Sequence, residues 1–132
     1  MLDQYDVIIA GSGVAGLYTA LNLSPQLRVL VLCKQDMLLT NTALAQGGVA
    51  AVLDLVGDSY DLHFEDTMIA GGYENNPQAV RTLVEEGPGD VRRIYEMGVD
   101  FDKDPDGKLS STLEGGHSRH RIVHHRDTTG QA

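Results

Sequence analysis

The chain has 132 residues, enough for one ordinary domain with a single core. Its 42% hydrophobic and 22% charged residues are normal globular composition and exclude a disordered or fibrous chain. The net charge of −9 opposes phosphate backbones and anionic lipid, so neither nucleic acid nor a membrane surface is expected as a partner.

No apolar run approaches the roughly 20 residues of a membrane helix. The single Cys33 cannot form an internal disulfide, and the opening residues MLDQYDVIIAGSG contain neither a basic leader segment nor a cleavable apolar one. These features lead us to expect a soluble chain in a reducing cytoplasm.

Val7 to Ala10 is a short apolar run ending in glycine, which reads as a strand buried on both faces in a parallel sheet. Val14, Leu17 and Leu21 recur at helical spacing, predicting a helix over Val14–Leu23 with one buried stripe and an end at Pro25. Arg28 to Cys33 (RVLVLC) is a second strand candidate, completing a βαβ unit. Asp58 is the expected N-cap of a helix reaching Ala70, with Asp61 in the capping-box position and Gly71-Gly72 as the stop. Pro77 opens a helix over Ala79–Glu86, Gly87-Pro88-Gly89 reads as a turn, and a further helix runs from Val91 to Met97. Asp104-Pro105-Asp106-Gly107 has turn chemistry, Arg121 to His124 is strand-like, and Asp127-Thr128-Thr129-Gly130 resembles the first turn of a helix. The fold class expected is α/β, a Rossmann-like βαβ unit with a parallel sheet, followed by the start of further helices and strands.

Gly11-Ser12-Gly13-Val14-Ala15-Gly16 is G-x-G-x-x-G between a strand and a helix, the context in which that pattern binds dinucleotides. Gly11 permits the tight turn, Gly13 lets a pyrophosphate approach the backbone, and Gly16 lets the helix pack on the strand. The helix N-terminus then offers amides and a positive dipole end to the phosphates. The acid expected about 20 residues on, which binds ribose hydroxyls, is missing, because the second strand ends in Cys33-Lys34. Lys34 is either a contact to adenosine or phosphate or a solvated lysine at a strand end.

Asn41-Thr42-Ala43-Leu44-Ala45-Gln46-Gly47-Gly48 is rich in small residues, which let a flat ring approach the backbone closely. This segment, with its T-x-x-A-Q-G-G pattern, resembles the flavoprotein subunits of succinate dehydrogenase and fumarate reductase, and within that group the L-aspartate oxidases. His63 to Gly72, Glu86 to Asp102 and Glu114 to Gly130 (EGGHSRHRIVHHRDTTG) resemble the same branch. The resemblance implies FAD as cofactor, with Asn41 to Gly48 along the isoalloxazine and pyrophosphate. Asn41 stands where succinate dehydrogenases carry a flavin-linking histidine, which implies noncovalent FAD. Glu114 corresponds to the family's glutamate that orients aspartate, and its carboxylate would pair with the substrate ammonium. On the residues alone Glu114 is a surface glutamate beside a Gly-Gly turn.

The activity implied is oxidation of L-aspartate to iminoaspartate, with O2 or fumarate reoxidising the flavin. The product would feed quinolinate synthase at the start of a route to NAD. The resemblance further implies that residues 1–132 are the amino-terminal part of an FAD-binding domain, lacking the capping and C-terminal helical domains and therefore inactive alone. A fumarate reductase or succinate dehydrogenase flavoprotein is the alternative, and a nucleotide-binding module without catalysis is another. Clustered His117, His120, His124 and His125 raise the question of a metal, but no second cluster of ligands completes a known site, so none is expected. Arg119 and Arg121 are either anion-steering residues or exposed ones, and Asp127 is a candidate cap for the last helical turn.

Overall fold

The computed structural model describes residues 4–132. The chain divides into two compact units, one running to Gln46 and the other from Gly47 to Gly130.

In the first unit β1 (Val7–Ala10) pairs in parallel with β2 (Val29–Leu32), in the register Val7↔Val29 to Ala10↔Leu32. Gly11 extends the ladder by donating its N–H to the Leu32 carbonyl at 2.9 Å. Between the strands lies α1 (Val14–Leu21), which completes the expected βαβ unit. The helix ends two residues earlier than its apolar spacing predicts. Asn22 donates both its backbone N–H, at 3.2 Å, and its side-chain amide, at 2.8 Å, to the Tyr18 carbonyl, closing the last turn well before Pro25. The expected burial also fails here: Ile8 and Val14 are 62% exposed and Leu21 is 68% exposed. One helix and two strands within this unit cannot cover both faces of a strand and a full helix stripe.

The βα junction is tight. A Cβ on Gly16 would lie 2.1 Å from the Gly11 carbonyl oxygen, so that position accepts only glycine without backbone movement. A 3₁₀ turn, Met37–Leu39, follows β2 and is capped by Asp36, whose carboxylate accepts from the Leu38 amide at 2.9 Å.

In the second unit β3 (Val49–Ala50) pairs antiparallel with β4 (Ile122–Val123). Helix α2 (Tyr60–Ala70) starts from Ser59, not Asp58: the Ser59 hydroxyl accepts from the Leu62 amide at 3.1 Å. Asp58 is drawn away by a stronger partner, Arg121.

Residues expected to form two helices around a Gly-Pro-Gly turn form one, α3 (Pro77–Glu96), capped by the Asn76 side chain. Pro88 removes one backbone hydrogen bond and costs about 3 kcal/mol within a helix. Against that, Val80, Val84, Pro88 and Val91 follow at steps of four, four and three and are all buried. Each buried valine stabilises by roughly 1.5–3 kcal/mol, so a continuous apolar face outweighs the missing bond. The first half of that face packs with Met68, Tyr60 and Phe64, and the second half with Ala51, Phe101 and Val123. Beyond α3, Lys103 bridges Leu109 across the expected turn, closed by Gly107 N–H to Asp104 carbonyl at 2.8 Å.

Arg121, just before β4, has a fully buried side chain. Its Nε donates to Asp58 Oδ2 at 2.9 Å, its Nη2 to Asp58 Oδ1 at 2.8 Å, and its Nη1 to Asp66 Oδ2 at 2.6 Å. Burial pushes the Asp58 carboxyl up, but the Arg121 guanidinium and the Ser59 amide outweigh it and hold it below the ordinary value of 3.8. His63, on α2 with Asp66, is 3% exposed. Burial first, then the positive Arg121 and the neighbouring His117, against opposing pulls from Asp58 and Asp66, lower its pKa to about 4. His63 is therefore neutral at pH 7.

The unfolded chain protonates His63 near pH 6.5 while the folded chain resists until about 4. That contribution is complete above 6.5 and is lost as pH falls through about 4, at most roughly 3 kcal/mol. We expect the urea midpoint to drop between pH 7 and 4.5, with His63→Gln flattening the slope; an unchanged slope would contradict the assignment. Gly16→Ala should lower stability by about 1–3 kcal/mol through the clash with the Gly11 carbonyl. Wild-type and variant urea curves with the same midpoint would contradict that.

Candidate functional site

The turn from β1 into α1 is built by residues that leave the helix start open. Gly11 sits at φ +121°, where side chains are strained, and Ser12 is buried. Gly13 is the N-cap and offers no side-chain cap, so the first-turn amides are not closed off by the residue preceding them. One of these amides has a partner from elsewhere in the unit: Val14 N–H donates to Thr42 Oγ1 at 3.0 Å. Thr42 thereby ties the 41–46 segment to the start of α1. A Cβ on Gly13 would come within 3.3 Å of that same hydroxyl, so the cradle above the first turn is shaped by the absence of a side chain. Val14 and Ala15 are exposed, and Gly16 is half-buried. An uncapped helix end with glycines where side chains would intrude fits a pyrophosphate.

Residues 40–45 form consecutive turns: Ala43 N–H donates to Thr40 Oγ1 at 3.1 Å, Leu44 N–H to the Thr40 carbonyl at 3.0 Å, and Ala45 N–H to the Thr42 carbonyl at 3.1 Å. Asn41, Leu44, Ala45, Gln46 and Gly47 are exposed, whereas Thr42, Ala43 and Gly48 are half-buried. Lys34 lies exposed two residues past β2. Gly48 has a second reason to be small. A Cβ there would fall 2.5 Å from both the Val123 carbonyl oxygen and Ile122 Cγ2, so the β3–β4 pair itself requires glycine.

Glu114 is exposed and is the first residue of a turn, with its carbonyl accepting from the His117 amide at 3.2 Å. Gly116, third in that turn, has φ +82°, the value a type II turn requires. The turn is held on one side. Asp66 Oδ2 accepts from the Ser118 amide and the Ser118 hydroxyl, each at 2.8 Å, besides the Arg121 guanidinium. Burial alone would raise the Asp66 carboxyl, but the Ser118 amide, Arg121 and the Ser118 hydroxyl together hold it below the ordinary range. His117 Nδ1 lies 3.3 Å from Arg121 Nη1, which donates only if that nitrogen carries a lone pair.

Arg119, Arg121, His120 and His124 of this stretch each lie beside a polar group of the second unit. Arg121 is neither exposed nor available to steer an anion, because its donors are spent on Asp58 and Asp66 inside the unit. Arg119 donates to the Gly57 carbonyl at 2.9 Å. His124 Nδ1 lies 3.1 Å from Asp102, and His120 Nδ1 lies 3.3 Å from the Ser111 carbonyl. Among the described residues no group of three or more His, Cys, Asp or Glu side chains is arranged to hold a metal. Asp127 does not cap the last helical turn, Thr129–Gln131, which begins at Thr128 without a side-chain cap. No helix among the described residues is long and apolar enough to cross a membrane. An open recess of about 790 Å³ is lined by Arg92, Tyr95, Arg119 and His120, among others, and neither the glycine loop nor Glu114 borders it.

The Thr42 link to the helix start and the Arg121 cluster were not anticipated from the sequence. An arginine within a strand-like RIVH run, with aspartates eight residues apart at 58 and 66, is the signal that could have pointed to the second.

Comparison with known proteins gives the same cofactor chemistry. The chain is 44% identical over 126 residues to an L-aspartate oxidase of Clostridium perfringens, a match covering 96% of this chain and 28% of that protein. It is 46% identical over 129 residues to an L-aspartate oxidase of Acinetobacter baylyi, covering 98% of this chain and 24% of the relative. The chain thus spans only about a quarter of the length of these curated relatives. Among solved structures, the E. coli quinol fumarate reductase chain FrdA superposes with a TM-score of 0.85 at 29% identity, over 98% of this chain and 22% of that one. The family model described as an FAD binding domain matches residues 6–132. With the glycine loop, the open helix start and this match in agreement, the chain belongs to the FAD-binding domain family.

Proposed function

We propose that residues 1–132 form the amino-terminal part of the FAD-binding domain of an enzyme that oxidises L-aspartate to iminoaspartate, with the capping and C-terminal helical domains supplied by other segments. The observation that carries this reading is the identity to L-aspartate oxidases across nearly the whole chain, with Asn41 at the position of the flavin-linking histidine. The chain's own residues would bind and orient. The Gly11–Gly16 loop and the start of α1 would face the pyrophosphate with amides and a positive dipole end, worth about 0.3–2 kcal/mol. Lys34 would contact the adenosine or a phosphate, and Asn41 to Gly48 would lie along the flavin, whose polar edge their backbone amides suit. Bound FAD would supply the hydride-accepting chemistry, with O2 or fumarate as the final electron acceptor proposed. Glu114 pairs with the substrate ammonium, the group that separates an amino acid from succinate. Quinolinate synthase is the partner that would consume the product. The compartment proposed is the cytoplasm, where an exposed thiol such as that of Cys33 would stay reduced.

A fumarate reductase or succinate dehydrogenase flavoprotein is the second reading, favoured by the close superposition on the fumarate reductase chain. Peroxide release from the complete flavoprotein carrying this chain separates the two: aspartate should be the preferred substrate, and preference for succinate would overturn the proposal. Glu114→Gln should raise the KM for aspartate by about tenfold or more, since a hydrogen bond to a charged group is worth about 1.5–3 kcal/mol. Acid precipitation should leave the flavin in the supernatant; flavin retained in the protein pellet would mean a covalent link. Gly13→Val, which crowds the Thr42 hydroxyl, should lower flavin content at least tenfold, and full flavin content would remove the loop from the site.

A further inference from the structure

The turn carrying Glu114 is an excursion from a hairpin. Its base is closed by Thr112 and Ile122: the Thr112 amide donates to the Ile122 carbonyl at 2.9 Å, and the Arg121 amide donates to the Thr112 carbonyl at 3.2 Å. Midway along the excursion, both polar hydrogens of Ser118 point to one oxygen of Asp66. Asp66 is in turn fixed by the buried Arg121 side chain, itself gripped on its other edge by Asp58. The path from Asp66 to Glu114 is short, since Ser118 follows directly on the type II turn that Glu114 opens.

Resting on the reading of Glu114 as the ammonium partner, we propose that Asp66 and Ser118 are positioning residues for substrate selectivity, holding the 114–117 turn to α2 so that Glu114 is presented at a fixed place. Neither residue touches the substrate. Their effect passes through the placement of one carboxylate, so it belongs to aspartate binding and not to the redox step. Ser118 is exposed, and its hydroxyl can be removed without opening a cavity.

The test uses the complete flavoprotein carrying this chain, with kcat and KM measured for aspartate and flavin content measured in parallel. Ser118→Ala should raise the KM for aspartate about tenfold with kcat within twofold and flavin content unchanged, and Ser118→Thr, which restores the hydroxyl, should recover most of it. Asp66→Asn should act in the same direction. Combined with Glu114→Gln, Ser118→Ala should add less than a further twofold, because the residue it positions is already disabled. Independent losses that multiply in the double variant would overturn the proposal, as would a fall in kcat or flavin content that matches the rise in KM. If the unaltered enzyme fails to oxidise aspartate, the functional reading falls and takes this proposal with it. If it oxidises aspartate and Glu114→Gln raises KM while Ser118→Ala and Asp66→Asn do not, the positioning role alone is overturned.

Discussion

A guanidinium placed in the interior must be neutralised and fully hydrogen-bonded, and in the second unit this requirement organises everything around it. Arg121 uses a two-pronged contact on Asp58 and a third donor on Asp66, so the residues just before and within α2 are tied to the strand β4 that follows it in the chain by some sixty positions. Removing one partner of such a cluster typically costs about 3–5 kcal/mol, because a charge is left without compensation. Arg121 of the same cluster adds to the burial that keeps His63 neutral, and the cluster explains the Ser59 cap that replaces Asp58 and the anchoring of the turn that bears Glu114. Three local features depend on one buried charge.

The first unit is organised on the opposite principle, by leaving groups out. Three glycines and an uncapped helix start produce a surface that a polyanion can approach, and Gly16 has a packing role as well, since the Gly11 carbonyl occupies the space of its absent Cβ. Thr42 joins the two halves of this surface by bonding the Val14 amide. In a molecule of net charge −9 the attraction for an anion is therefore local, carried by backbone dipoles and not by the overall field.

Local signals were legible in the sequence wherever neighbours in the chain decide the outcome. Both parallel strands, the turn at Asp104–Gly107 and the glycine loop stand where their residues place them. Gly87-Pro88-Gly89 misled because turn chemistry is weak against a shared apolar face, and Val80, Val84, Pro88 and Val91 gain more from one continuous surface than they lose at proline. Asp58 misled for a related reason. Its capping chemistry was correct, but a partner 63 positions away took the carboxylate, and no local pattern records that. The expected burial of Ile8 came from a continuous apolar run and that of Val14 and Leu21 from helical periodicity, and both mark apolar surfaces without saying what covers them. Of the candidate site, the motifs were legible and the supporting contacts were not, since the Thr42–Val14 and Asp66–Ser118 bonds join residues 28 and 52 positions apart.

Pro88 has a further mechanical meaning. It lies in α3 between the residues that pack with Met68 and those that pack with Phe101, so the helix spanning the two apolar clusters lacks a rung at their boundary. A helix with a missing rung bends there at low cost, because no bond has to break. The two apolar clusters are therefore joined by one helix whose hydrogen bonding is weakest where one cluster gives way to the other.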